Sequence, residues 1–441
     1  MKNKITHPVL IIWFAISALF FFSFVKLPVI PYLNNYSKID ILQDIKTVKQ
    51  PAIAVKKSNP VIIKGLVQTT DLFDSSLVSD YADAPSGMMR SFYKKLNALK
   101  SSKGKVRIAY FGDSFIEGDY ITGELRDKLQ QIYGGNGIGF IPMESVVADT
   151  YPFIQFNNNT SWTDYNFHYN PQKYPLGLMG HVFYSTGNSW SQFAAVHNKF
   201  KNIDLYTGQT PDSVGAVTLT IDKDGKEEKI TANNSTYINK TVLNDGTPVS
   251  KLKLACASKN LPLYGVSIED STGVYIDNYG FRGNTGLLSL QIQPDVMKGF
   301  EDYFKYDLII VHYGLNVIVH NDTNYRWFDR GMYKLIQKIR ASYPGVPILL
   351  VSTSDVAYYE SGQYITDPVV PILVRQQNEI AKKNKVAFWN LYYSMGGENT
   401  IANWADGDTT YAYKDYMHVN ERGANRIAGI FLNKLLQSQK N

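Results

Sequence analysis

Val106-Arg-Ile-Ala-Tyr-Phe-Gly-Asp-Ser114-Phe-Ile-Glu-Gly-Asp119 is the stretch on which the reading of this chain turns. An apolar, β-prone run ends abruptly at Gly112-Asp113-Ser114, and an amphipathic helical pattern follows, with Leu125, Leu129, Ile132 and Tyr133 at helical spacing. The Ser114 hydroxyl is therefore expected at a strand-to-helix turn, beside backbone N–H groups that can hold an anionic transition state. A serine needs a base to become a nucleophile, and a candidate stands far downstream in Asp415-Tyr-Met-His418.

Outward from that turn, the chain alternates strands and helices as an α/β fold should. Further strands are expected over 273–279, 306–313, 347–354 and 386–391, each a short run rich in Val, Ile, Leu or aromatics. Such runs suit parallel strands covered on both faces. Helical patterns cover 329–342 and 368–383, a last helix spans about 421–436, and 88–99 predicts a short helix ahead of the first strand. Between 150 and 272 the rhythm breaks into Asn-, Thr-, Ser-, Tyr- and Gly-rich sequence with short β-prone pieces at 216–221, 229–231, 251–255 and 263–268. Asp224-Gly225 between the first two is a hairpin signal. The expected organisation is an α/β domain formed by 86–149 and 273–441, with an all-β domain inserted at 150–272.

Composition bounds the chemistry. A chain of 441 residues, 44% hydrophobic and 19% charged, is ordinary globular material for two or three domains. The net charge of +6, with no basic cluster interleaved with aromatics, gives no indication of nucleic-acid binding. Cys256 is the only cysteine, which excludes an intramolecular disulfide and a cysteine-based metal cage, and the common metal and phosphate motifs are missing. No metal and no cofactor is expected, so the chemistry falls to acid–base and nucleophilic side chains. The 31 tyrosines would suit stacking on sugar rings where exposed, although core and sheet positions account for many of them.

The N-terminus predicts a location. Residues 9–25 form an unbroken uncharged run, preceded by Lys2 and Lys4 and followed by Lys26-Leu-Pro-Val-Ile-Pro-Tyr, with no small-x-small cleavage site. Residues 1–26 read as an uncleaved signal anchor and 27–85, with Pro28, Pro31, Pro51 and Pro60, as a spacer. The expected placement is a single-pass bacterial inner-membrane protein with its catalytic domain in the periplasm or outside the cell.

Four short segments fall at the ends of expected strands, where open α/β sheets place their active sites: Gly112-Asp113-Ser114, Asn278-Tyr-Gly-Phe-Arg-Gly283-Asn-Thr, Tyr313-Gly314-Leu-Asn316 and Asp415-Tyr-Met-His418. In this order they resemble the four blocks of the SGNH (GDSL-type) hydrolase superfamily, over about 105–145 and 273–437. The resemblance implies a flavodoxin-like three-layer α/β fold with Ser114 as nucleophile, His418 as general base and then acid, and Asp415 orienting the imidazole. It implies an oxyanion hole made of the Ser114 and Gly283 backbone N–H groups and the Asn316 side-chain amide. The role of Asp113 is left as that of a turn residue. The segments running from Phe111 to Pro142 and from Trp389 to Gly397 resemble bacterial peptidoglycan O-acetylesterases, in which a carbohydrate-module-like β domain is inserted at about the same place. Many of those relatives carry His after the serine, where this chain has Phe115.

The resemblance implies an esterase acting through an acyl-enzyme on an O-acetylated cell-envelope polysaccharide, peptidoglycan first. One alternative is an O-acetyltransferase of the same glycan, working with a membrane-bound O-acyltransferase as acyl donor. A non-catalytic glycan-binding scaffold should have lost Ser114, Asn316, Asp415 or His418, and all four are present. A lipase or thioesterase would favour an apolar acyl groove. Exposed aromatics of the inserted region, Trp162 and Trp190 among them, are expected to meet the polymer.

Overall fold

Every residue from Val106 to Gly112 is buried in the strand Lys105–Gly112, which is why its sequence is a continuous apolar run rather than an alternating one. Successive side chains point to opposite faces: Val106, Ile108 and Tyr110 enter one apolar cluster, Ala109 and Phe111 another. The strand pairs in parallel with Gly273–Gly280 on one side and Leu308–His312 on the other. Ile348–Val351 and Ala387–Trp389 follow in parallel register. Numbered along the chain, these five strands have the spatial order 2-1-3-4-5, the flavodoxin-like arrangement. The computed structural model describes residues 78–83 and 87–439. The expected membrane span at 9–25 and most of the 27–85 spacer lie outside them. The end of that spacer is not a free tether, because Ser79–Asp80 adds an antiparallel edge strand to Ala387–Trp389. Among the described residues no helix is long and apolar enough to cross a membrane.

Helices cover both faces of the sheet. Tyr120–Tyr133 buries Ile121, Leu125, Leu129 and Tyr133, a strict four-residue repeat, and lies beside Glu421–Ser438. Ile132, expected on that stripe, is 44% exposed, because it sits a quarter turn from the repeat. Pro294–Phe304, Arg326–Ser342 and Val369–Asn384 complete the layers. Each fully buried Leu or Ile adds roughly 1.5–3 kcal/mol of hydrophobic stabilisation.

The β-rich stretch forms two antiparallel sheets. One takes, in order, Lys226–Ala232, Val217–Lys223, Lys251–Cys256, Ser189–Ala195 and Ile154–Asn158. The other takes Ile238–Asn244, Asn202–Gly208, Leu263–Glu269, His181–Ser185 and Trp162–Asn166. Phe156, Phe193, Leu219 and Leu252 of the first share one core with Phe183, Leu205, Leu263 and Val266 of the second. The hairpin at Asp224-Gly225 forms with φ of 51° and 87°, the doubly positive pair of a type I′ turn. Gly139–Pro142, ahead of the expected start at 150, also belongs to the second sheet by pairing with Leu263–Glu269.

Candidate active site

The strands Lys105–Gly112 and Leu308–His312 are neighbours at the point where the strand order reverses, so the loops leaving them diverge and leave a crevice. Ser114 opens the short helix Ser114–Glu117 after the first strand, and Asn316 lies in the 3₁₀ turn Leu315–Val317 after the second. Ser114 is half-buried. Its Oγ lies 2.9 Å from His418 Nε2, and His418 Nδ1 lies 2.7 Å from Asp415 Oδ2. A carboxylate can only accept, so Nδ1 carries the imidazole proton and Nε2 turns its lone pair to the Ser114 hydroxyl.

The loop that carries this couple is held by its own hydrogen bonds. Asp415 Oδ1 accepts from the N–H groups of Met417 (3.1 Å) and His418 (3.0 Å), leaving Oδ2 for the imidazole. Partial burial pushes the Asp415 carboxyl up, but the bonds from the His418 N–H, its imidazole and the Met417 N–H outweigh this and hold it below the usual carboxylate range. Between the two residues Tyr416 adopts the left-handed region at φ 55°. Three contacts hold it there: its ring stacks on Tyr364 at 3.5 Å, its hydroxyl donates to Asp406, and its carbonyl accepts from the Ala357 N–H.

The three expected oxyanion donors come from three loops. The Ser114 N–H is at the first position of its helix, where no intrahelical acceptor exists. Gly283 is exposed, with φ at 71°. A Cβ there would meet only the His168 ring, nearest at Nε2 (3.4 Å), an ordinary contact, so the backbone conformation and not crowding calls for glycine. Asn316 is exposed, its Nδ2 donating to the Asn284 carbonyl at 3.3 Å while its amide also donates to the Asp113 carboxylate.

Asp113, read from the sequence as a turn residue, does more. It caps the serine helix through the Phe115 N–H (3.0 Å) and also accepts from the Gly314 N–H and the Asn316 amide. Burial pushes its carboxyl up to about 6, against those hydrogen bonds and the nearby His418. Its place in the Gly-Asp-Ser motif was the only signal. Phe115, the departure noted above, is buried edge-on to His312 at 5.6 Å.

The β-rich stretch reaches this site through a residue that no motif marks. His168 Nε2 lies 3.3 Å from the Arg282 carbonyl, and its ring is 5.1 Å from Phe281. Beside it, His181 pairs with Asp164 (2.9 Å), and Arg282 pairs with Glu117, one helical turn after the serine (2.8 Å). The expected aromatic contacts need correction. Trp162 is 7% exposed in the sandwich core, its Nε1 donating to Ser191 Oγ, and Trp190 is half-buried under the Lys253 ammonium. Among the described residues no group of His, Cys, Asp or Glu could hold a metal ion.

A GDSL-like lipase/acylhydrolase family profile matches residues 257–426, which include Gly283, Asn316, Asp415 and His418 and leave Ser114 outside. No curated protein matches the chain. Among solved structures, one described as a peptidoglycan O-acetylesterase in action superposes with a TM-score of 0.68 at 20% identity, over 82% of this chain and 99% of that one. A family two carbohydrate esterase from Cellvibrio japonicus reaches only 0.26 at 8% identity, over 65% and 98%, too distant to carry an argument. Residues 257–426 are thus similar to the GDSL-like lipase/acylhydrolases, and the chain shares its fold with a protein described as a peptidoglycan O-acetylesterase.

Proposed function

We propose that the chain is a serine-dependent carbohydrate O-acetylesterase acting on O-acetylated cell-envelope glycan, with peptidoglycan as the first candidate. The observation that carries this reading is the unbroken hydrogen-bond chain from Ser114 Oγ through His418 to Asp415, at the switch point of the sheet. Ser114 Oγ attacks the acetyl carbonyl carbon as its proton passes to His418 Nε2. The carbonyl oxygen becomes an oxyanion, held by the Ser114 and Gly283 N–H groups and by the Asn316 amide, whose long bond to the Asn284 carbonyl is the one it gives up. The ester C–O bond breaks and the imidazolium returns its proton to the departing sugar hydroxyl. Water then attacks the acetyl-serine, passing its proton to His418, and acetate leaves as that proton returns to Ser114 Oγ.

Hydrolysis is favoured over transfer by exposure. Gly283, Asn316 and Asp415 are all exposed, whereas transfer to a sugar hydroxyl requires a site that excludes water. The glycan substrate is supported by the likeness to a peptidoglycan O-acetylesterase and by the β-rich wall beside Gly283.

Ser114→Ala should abolish acetate release from p-nitrophenyl acetate and from O-acetylated peptidoglycan, and should abolish labelling by a sulfonyl fluoride. Retained turnover, or a label on another serine, would overturn the assignment. Acetylated sugar in place of free acetate, followed by mass spectrometry with chito-oligosaccharide present, would turn the reading to transfer.

A further inference from the structure

A cleft of about 490 Å³ opens in the β-rich stretch, lined by Tyr165, Tyr174, Tyr184, Gln209, Lys259 and Asn260 among others. Its volume falls within the usual range of small-molecule sites. Three half-buried tyrosine rings form one wall, with centroids 4.4 Å (165 to 174), 5.0 Å (174 to 184) and 5.8 Å (165 to 184) apart. Each ring is held by the other two, so their faces are fixed before a ligand arrives. The strands explain the arrangement. Tyr165 pairs with Val182 and Thr163 with Tyr184, so Tyr165 and Tyr184 share one face of the ribbon, while Asp164 and His181 share the other, beside Phe281. The rim supplies amides from Gln209 and Asn260, both exposed, and Lys259 is the one charged lining residue. Flat aromatic faces with amide donors and acceptors suit a pyranose ring and its hydroxyls, and a lone ammonium suits a neutral or carboxylate-bearing sugar and disfavours a cationic one.

A path leads from this cleft to the candidate active site. Tyr169, 61% exposed, stacks on Tyr165 at 6.1 Å and 22°. The turn that carries it is closed by the Asn166 N–H to the Tyr169 carbonyl at 2.9 Å, and Asn166 Oδ1 accepts from the His168 and Tyr169 N–H groups. His168 in that turn touches the Arg282 carbonyl and lies 3.4 Å from where a Cβ of Gly283 would stand. Only Asn166 and Phe167 lie between Tyr165 and His168, three chain steps that span at most about 11 Å.

We propose that the Tyr165–Tyr174–Tyr184 cleft is a saccharide-binding site that holds one part of a glycan strand while another part lies over Ser114, an inference that rests on the esterase reading above. Such a site adds nothing to the hydrolysis of a small acetyl ester and matters only for a polymer.

The test uses the full chain carrying Ser114→Ala, so that glycan binds without turnover, with the tetramer of β-1,4-linked N-acetylglucosamine in calorimetry and purified peptidoglycan sacculi in co-sedimentation. Adding Tyr165→Ala or Asn260→Ala should weaken both at least tenfold, with circular dichroism unchanged. With Ser114 restored, the same two substitutions should leave p-nitrophenyl acetate turnover unchanged and cut acetate release from sacculi at least tenfold. Failure of the Ser114→Ala chain to bind either probe, or equal binding by the substituted chains, would overturn the site. Absent turnover of the small ester by the unsubstituted chain would count against the esterase reading alone, because the binding measurements do not depend on it.

Discussion

The Asp113 carboxylate accepts a hydrogen bond from the side-chain amide of Asn316. The two residues follow neighbouring strands, so this bond ties the turn of Ser114 to the turn of Asn316. It is made inside the protein, since Asp113 is 1% exposed. A buried charge that accepts three hydrogen bonds orders the site but is costly to keep ionised.

Stability should therefore depend on pH in a direction that the Asp113 environment fixes. Its carboxyl is raised from 3.8 to about 6 on folding, so between these values the folded state binds more protons than the unfolded state. The contribution is complete below pH 3.8 and is lost as pH rises through 6. Asp113→Asn removes the titration. Urea unfolding at about pH 4 and about pH 7.5 should show the unsubstituted protein losing up to about 3 kcal/mol relative to the variant on going to the higher pH. A relative gain with rising pH would contradict this environment.

Asp415→Asn should lower kcat by about a hundredfold to ten-thousandfold with little change in KM, because an amide at this position can hold the imidazole in the wrong tautomer. Steady-state kinetics on p-nitrophenyl acetate reads it. A change confined to KM would remove Asp415 from the proton relay.

Asn316→Ala should cost about a hundredfold to a thousandfold in kcat, the loss typical of one oxyanion donor. The variant also frees Asp113 of one donor, so its pH–stability curve should steepen as the buried charge loses support. An unchanged kcat would limit Asn316 to holding Asp113.

Arg107→Ala should destabilise the fold by about 3–5 kcal/mol, measured by denaturant unfolding, because it leaves a buried carboxylate unpaired. The Arg107 guanidinium donates to both oxygens of Asp277 (2.6 and 2.9 Å), to Glu269 and to Ser267, and Asp277 is 0% exposed. Losses under 1 kcal/mol would mean that water replaces the guanidinium.

The five parallel strands and the expected helices were legible because each carries an uninterrupted apolar run or a helical stripe that packing did not override. The couple at Asp415 and His418 was legible because three residues of spacing suffice for a carboxylate to reach back to its own histidine. Much of the β-rich stretch was not. Ile154–Asn158 alternates buried and exposed positions, but its three Asn and Gln residues mask the period. The ribbon of Ala357–Glu360 and Gln363–Thr366 turns on Ser361 and Gly362, both at positive φ, and its exposed tyrosines look like neither core nor loop. Trp162 was expected outside, yet the sandwich packs over it and Ser191 satisfies its indole. His168 and Asp113 owe their positions to contacts across more than a hundred residues of chain, which local pattern cannot report.

Gly139–Pro142 enters the sandwich sheet before the chain has passed residue 150, and Leu263–Glu269 holds it there until the next strand returns to the parallel sheet. The Phe140 N–H donates to Asp277, the carboxylate that Arg107 neutralises from the serine strand. Transplanting 150–272 into another scaffold, or excising it, would therefore strip Gly139–Pro142 of its partner strand and open the ion-pair cluster of Arg107, Glu269 and Asp277. Viable breakpoints for recombination lie before 139 and after 269, so this wall beside Gly283 is inherited together with the scaffold beneath it.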